Sequence, residues 1–84
     1  MPGNKRFVYI LRSVTNPEHH YVGLTSDIAC RLGFHNAGLS VHTAKYRPWE
    51  LLVVLEFPTE AKAVCFEKYL KSGSGRAFAK RHFN

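Results

Sequence analysis

Acidic side chains are in short supply. The 84 residues hold six Asp and Glu against twelve Lys and Arg, a formal net charge of +6. From Lys68 to the last residue there are five Lys and Arg and no acidic residue at all. Such a surface attracts polyanions, of which nucleic acid is the commonest. Cysteine is nearly as sparse. Cys30 and Cys65 stand far apart and form no C-x-x-C pattern, which argues against a disulfide framework or a dithiol redox pair. Both fall within helical patterns and are expected as buried or half-buried thiols. Long apolar runs are missing as well. LLVVL at 51–55 is among the longest, far too short to span a bilayer. The opening MPGNKRFVYIL has a basic start without an apolar h-region or small-residue cleavage site. The expected location is therefore the cytoplasm, with no membrane partner. Internal repeats and low-complexity segments are absent too.

What remains is the composition of one small globular domain spanning 1–84, with 45% hydrophobic and 21% charged residues. A chain this short buries roughly 60–65% of its extended surface, so most apolar residues are needed for the core. FVYILR at 7–12 is rich in β-branched and aromatic residues and reads as a strand. Thr15-Asn16-Pro17-Glu18 is a turn, and HHYVG at 19–23 returns as a second strand. Thr25, Ser26 and Asp27 offer N-caps for a helix in which Ile28 and Leu32 share one side. Arg31 and His35 fall on the edge of that stripe, and Gly38 is a natural stop.

A polar and aromatic loop, 39–49, precedes the strand ELLVVLEF at 50–57. Its apolar middle suggests cover on both faces. Thr59 can cap a second helix whose stripe is Ala63, Phe66 and Leu70, with Glu67 at its border. Ser72-Gly73-Ser74-Gly75 breaks that helix. RAFAKRHF then forms a short basic helix, with Ala77, Phe78 and Phe83 turned inward. The order ββαβαα predicts an α+β fold: a small, mainly antiparallel three-stranded sheet flanked by helices.

Singly, the polar residues have ordinary readings. Glu67 can pair with Lys71 one turn on, and Arg31 with Asp27. His35 can be a surface histidine, Tyr21 a core aromatic, and Gly23 a strand end. His19 and His20 are neighbours on a strand and point opposite ways, which disfavours a shared metal ion. Trp49 is expected in the core with its N–H partnered.

Taken in order, the same residues resemble the GIY-YIG nuclease family. Phe7-Val8-Tyr9 stands where the family has its first triad, and Tyr21-Val22-Gly23 stands for the second, with eleven residues between the tyrosines. Arg31 lies ten residues past the second Tyr, and His35 one turn later, followed by Asn36-Ala37-Gly38. Glu67 matches the family's metal-binding Glu on the helix after the third strand. The similarity covers about residues 6 to 82. It is closer to the small stand-alone bacterial branch than to the nuclease domain of excision-repair enzymes. The chain departs from the pattern at Phe7, in place of Gly, at Leu24, where some members carry Lys, and in lacking a match for the late Asn of larger members.

The resemblance implies a phosphodiester hydrolase with one divalent metal, Mg²⁺ or Mn²⁺, held by Glu67. It implies Tyr9 as general base, with His35 able to accept a proton near neutrality. Arg31 would clamp the phosphate, Tyr21 would orient water or phosphate, and Gly23 would let the backbone approach it. Lys45, Arg47, Lys68, Lys71, Arg76, Lys80 and Arg81 are the expected nucleic-acid contacts, which position without reading sequence. The expected function is thus a metal-dependent endonuclease acting on DNA with low intrinsic sequence specificity. The alternative is a nucleic-acid-binding module that kept the fold and cuts little or not at all. Cutting both strands of a duplex would require two encounters, a second copy or a partner protein.

Overall fold

The computed structural model describes residues 6–83. The opening residues 1–5, read above for the absence of a leader, lie outside them, as does Asn84 at the end of the expected domain. Three strands and three helices follow in the expected order: β1 (Arg6–Ser13), β2 (His20–Thr25), α1 (Ile28–Asn36), β3 (Trp49–Phe57), α2 (Glu60–Leu70) and α3 (Gly73–Phe83). The sheet order is β2-β1-β3, with both pairings antiparallel. No helix among the described residues is long and apolar enough to cross a membrane.

Local chemistry explains the boundaries. Asp27 caps α1, its carboxylate accepting from the Cys30 N–H at 3.0 Å. At the other end Gly38 adopts φ +79°, a left-handed conformation that costs glycine little and closes the helix. Thr59 caps α2, accepting from the Lys62 N–H at 3.3 Å.

The sheet has two unlike faces, because successive side chains on β1 alternate. Val8 and Ile10 face α2 and pack with the fully buried Ala63 and Leu70, joined by Phe66, Phe78 and Phe83. Tyr9 and Leu11 face the other way, toward Ile28 and Leu32 of α1 and toward Trp49 and Tyr46.

Several expectations are corrected here. The strand sheltered on both faces is β1, the middle strand, not β3. β3 is an edge, and its Leu51 and Val54 are each 38% exposed. Its unbroken apolar run has another cause. The β1–β3 register shifts between Ile10 and Leu11, pairing them with Val53 and Leu51 and leaving Leu52 as an extra residue. Leu52 and Val53 both pack with the α2 side. Cys30 and Cys65 are exposed rather than buried, each turned outward on its helix. Ala77 is also exposed.

The SGSG segment interrupts helix only briefly. α3 starts at Gly73, and Gly75 is buried inside it. A side chain at Gly75 would strike the Tyr69 carbonyl and come within 2.6 Å of the Leu70 Cα. This glycine therefore lets α3 lie against the end of α2.

Candidate active site

Tyr9, the central residue of the site, is only 3% exposed. The antiparallel register sets Tyr9 opposite Gly23. A Cβ built at Gly23 would collide with the Tyr9 hydroxyl and lie 2.8 Å from the ring's Cε1. Gly23 thus does not end β2, as its ordinary reading in the sequence had it. It sits within the strand, and its missing side chain is the space the phenol occupies.

The phenol meets His35 from α1. Tyr9 Oη and His35 Nε2 are 2.9 Å apart. The other ring nitrogen, Nδ1, lies 2.8 Å from Thr43 Oγ1. His35 and Thr43 are 2% and 0% exposed, so the histidine is not at the helix surface. Tyr21 is half-buried beside them, its ring centroid 4.9 Å from that of His35 and 6.4 Å from that of Tyr9. Arg31 is half-buried one turn before His35 and holds its guanidinium over the Phe34 ring at 4.9 Å. Its expected partner, Asp27, is engaged instead in capping.

Electrostatics make both central groups neutral. Burial, reinforced by Tyr21, pushes the Tyr9 phenol up from 10.0 to about 12. Arg31 opposes this, and Glu67 adds to it. Burial lowers His35 from the usual 6.5, and Arg31 lowers it further. Two consequences follow. The basic surroundings do not by themselves make Tyr9 acidic, because desolvation outweighs Arg31. His35 is a poorer proton acceptor than a free imidazole, because burial and the Arg31 charge both disfavour its protonated form.

Glu67 reaches this site from an unexpected direction. α2 packs on the opposite face of the sheet from Tyr9, yet the carboxylate is near enough for its charge to raise the phenol's pKa. β2 is an edge strand, and the Tyr9 hydroxyl lies over its Gly23. Tyr21 of β2 and Lys71 at the end of α2 line one groove. The two faces therefore meet around the β2 edge. Glu67, with its side chain 17% exposed, is ion-paired to Lys71, the bond that its helical spacing predicted.

The chain matches the GIY-YIG catalytic domain family over residues 5–82. It belongs to the GIY-YIG family. Among curated proteins it is similar to the structure-specific endonuclease subunit SLX1 of Candida dubliniensis, 37% identical over 84 aligned residues. The alignment covers 92% of this chain and 28% of that protein. The SLX1 of Scheffersomyces stipitis is 40% identical over 67 residues, covering 71% of this chain and 20% of that protein. The chain thus spans less than a third of these fungal relatives. Among solved structures it resembles a UPF0213 protein from Bacillus halodurans, determined by NMR, with a TM-score of 0.55 and 27% identity. The match covers 90% of this chain and 80% of that one.

Within this GIY-YIG domain the structure gathers Tyr9, Tyr21, Gly23, Arg31 and His35 into one cluster with Glu67 at its margin. It divides the basic residues. Lys71, Arg76 and Lys80 line a groove of about 940 Å³ with Arg12, over a floor that includes Ile10, Val22 and Leu52. Lys68 and Arg81 are exposed on α2 and α3 but do not line it. Lys45 and Arg47 sit in the loop before β3. Lys45 lies over the Tyr46 ring, and Arg47 donates to the Ala44 carbonyl at 2.8 Å and rests on Gly38. His19 stacks on Tyr46, the ring centroids 3.8 Å apart.

Two contributors escaped the sequence reading. Thr43 is one, a lone hydroxyl in a loop with no periodic signal. Asn36 is the other. Its side chain accepts from the Trp49 N–H at 2.6 Å and donates to the Trp49 carbonyl at 3.1 Å, tying the end of α1 to the start of β3. Trp49 is buried as expected, its indole N–H donating to the Thr43 carbonyl at 2.8 Å.

Proposed function

We propose that this domain is a metal-dependent endonuclease that hydrolyses phosphodiester bonds of DNA and selects substrates by shape more than by base sequence. The observation that carries the reading is the buried Tyr9–His35 hydrogen bond, in a space left by Gly23 and within reach of the charges of Arg31 and Glu67. A structural tyrosine needs neither a dedicated glycine nor two opposed charges.

The residues suit a divalent cation of the Mg²⁺ or Mn²⁺ kind. Among the described residues no cluster of three or more His, Cys, Asp or Glu gathers that could hold one. A single half-buried carboxylate whose charge is felt at the Tyr9 phenol nevertheless matches a hard ion that keeps most of its waters. Glu67 would hold it, with Lys71 giving up the carboxylate. When bound, the cation supplies charge neutralisation at the phosphate and makes an attacking water more acidic.

The protein's own groups supply the rest. Arg31 stabilises negative charge growing on the phosphate oxygens. Tyr9 stands at the attacking side as general base, and Tyr21 orients what enters. The groove lined by Lys71, Arg76 and Lys80 adjoins Tyr21 and is the natural bed for the strand leading to the site. Shape selectivity fits a site that lies at a sheet edge. It also agrees with the printed name of the fungal relatives, and their designation as subunits supports a partner protein.

The test is cleavage of single-stranded, duplex and branched DNA, and of RNA, with Mg²⁺ or Mn²⁺. Wild type is compared with Tyr9→Phe, Arg31→Ala and Glu67→Ala. The reading requires metal-dependent cutting, best on a branched DNA, lost in all three variants while binding persists. Binding without cutting by wild type would leave a passive nucleic-acid-binding module.

A further inference from the structure

Three polar side chains form a buried line. Thr43 Oγ1 meets His35 Nδ1 at 2.8 Å, and His35 Nε2 meets Tyr9 Oη at 2.9 Å. Their exposures are 0%, 2% and 3%. We propose that Thr43 is a positioning residue: it donates to His35 Nδ1, which makes Nε2–H a donor to the Tyr9 oxygen and leaves the phenol's own proton facing the site.

The argument is an inventory of protons. A threonine hydroxyl, a neutral imidazole and a phenol carry one polar hydrogen each. Two hydrogen bonds join them, so one hydrogen is left over at one end. Among the described residues the Thr43 hydroxyl has no hydrogen-bond partner besides His35. Were Nδ1 protonated, the unused hydrogen would be Thr43's, stranded in the interior where no side-chain polar atom is otherwise unsatisfied. Stranding a buried donor is the costly arrangement. With Thr43 donating, the unused hydrogen is Tyr9's, at the end of the line that faces Tyr21 and the charges of Arg31 and Glu67. The burial that keeps the imidazole neutral is what makes the count three rather than four.

The consequence rests on Tyr9 being the base. When the phenol releases its proton to solvent, the anion keeps a hydrogen-bond donor already aimed at it. His35 holds its proton throughout, as a donor to the phenolate, and takes none from Tyr9. The phenolate is then free to accept the proton of the attacking water.

The tautomer is read from the ring ¹⁵N shifts of His35 in the whole chain, without nucleic acid or metal. The expected result is Nε2 protonated and Nδ1 unprotonated in wild type. Thr43→Val should lose that preference and Thr43→Ser should restore it. Cleavage should fall roughly tenfold in Thr43→Val and recover in Thr43→Ser, the scale for a partner that orients a working imidazole. A wild-type His35 carrying its proton on Nδ1 overturns the proposal, even if every cleavage variant behaves. A wild type that does not cut removes the endonuclease reading and leaves the tautomer result to decide this one.

Discussion

The two faces of the sheet are built from one strand on opposite rules. Toward α2 and α3, β1 presents Val8 and Ile10, which pack with Ala63, Leu70 and the phenylalanine rings. Toward α1 it presents Tyr9 and Leu11, and there the apolar packing surrounds a line of hydrogen-bonded polar groups. The first face can be stable without any precise geometry, because aliphatic burial is non-directional. The second must hold angles and distances, since a misplaced partner strands a buried donor or acceptor. The same contrast separates the two buried glycines. Gly23 admits the Tyr9 ring, and Gly75 admits a helix.

The sharpest break in that comparison is Tyr9→Phe. It removes the one hydroxyl over Gly23 and should lower cleavage about 10²- to 10⁴-fold. Urea unfolding at neutral pH should show a loss of only about 1–3 kcal/mol, from leaving the His35 nitrogen unpartnered. Alkali supplies a second readout. The phenol is raised from 10.0 to about 12 in the folded protein, so between those values the native state holds a proton the unfolded chain has released. Wild-type stability should therefore fall as pH rises from 10.0 toward about 12, by roughly 2–3 kcal/mol at most. Tyr9→Phe should lack that fall. An alkaline loss of equal size in both proteins would show that the phenol is not the group responsible.

Next come the paired substitutions Gly23→Ala and Gly75→Ala. At Gly23 the new methyl must displace a side chain, the Tyr9 ring; at Gly75 it must displace backbone, the Tyr69 carbonyl. Gly23→Ala should cut cleavage at least tenfold, on the scale of a small misplacement of a reacting group, with the smaller stability loss. Gly75→Ala should cost about 1–3 kcal/mol of stability as an overpacked contact, while activity per folded molecule persists. If the two swap roles, with Gly75→Ala folding normally but failing to cut, the division between the faces is wrong.

How much of this could be read in the sequence follows the same division. The β-branched and aromatic run FVYILR, the cap candidates Thr25, Ser26 and Asp27, the cap Thr59, and the stripe Ala63-Phe66-Leu70 marked the elements, because each is a local pattern. The residues that the structure gathers around Tyr9 were also legible, through the resemblance of Tyr9, Tyr21, Arg31, His35 and Glu67, in that order, to the GIY-YIG pattern. Their relations were not. Gly23 acquires its meaning from a register that sets it across from Tyr9, and no single strand encodes its partner. Thr43 matters only because the 39–49 loop folds back under His35. The LLVVL run misled because an edge strand with a bulge can be as apolar as a central one. Cys30 and Cys65 misled because cysteine is usually buried, whereas these two are exposed on α1 and α2.

Along the groove the expected effect is smaller and concerns binding alone. Arg76 and Lys80 are one turn apart on α3, and the neighbouring Lys71 and Arg12 are engaged by Glu67 and Glu50. The double variant Arg76→Gln, Lys80→Gln should weaken DNA binding and lower the slope of log K against log salt by about 1.4–1.8, two phosphate contacts' worth. Lys45→Gln with Arg47→Gln, outside the groove, should change that slope less. An equal change from both pairs would mean that charge anywhere on the surface suffices and that the groove is not the bed of the strand.

The smallest effect tests the polar face in acid. His35 has a folded pKa below 6.5, through burial first and Arg31 second. Between that lowered value and 6.5 the unfolded chain binds a proton that the native state refuses. Stability must therefore rise with pH through this window and fall on acidification, the loss being complete once the folded imidazole also protonates. His35→Gln cannot titrate, so its stability should be flatter than wild type across this window, even if lower overall. The measurement is urea unfolding in steps from pH 7 downward, with chemical shifts confirming that both proteins remain folded. Arg31→Ala should narrow the window from its lower end, since removing the neighbouring cation eases protonation while leaving the burial. A slope unchanged by His35→Gln would assign the acid loss to carboxylates elsewhere, and the imidazole would then be neutral in the fold without that neutrality limiting its stability.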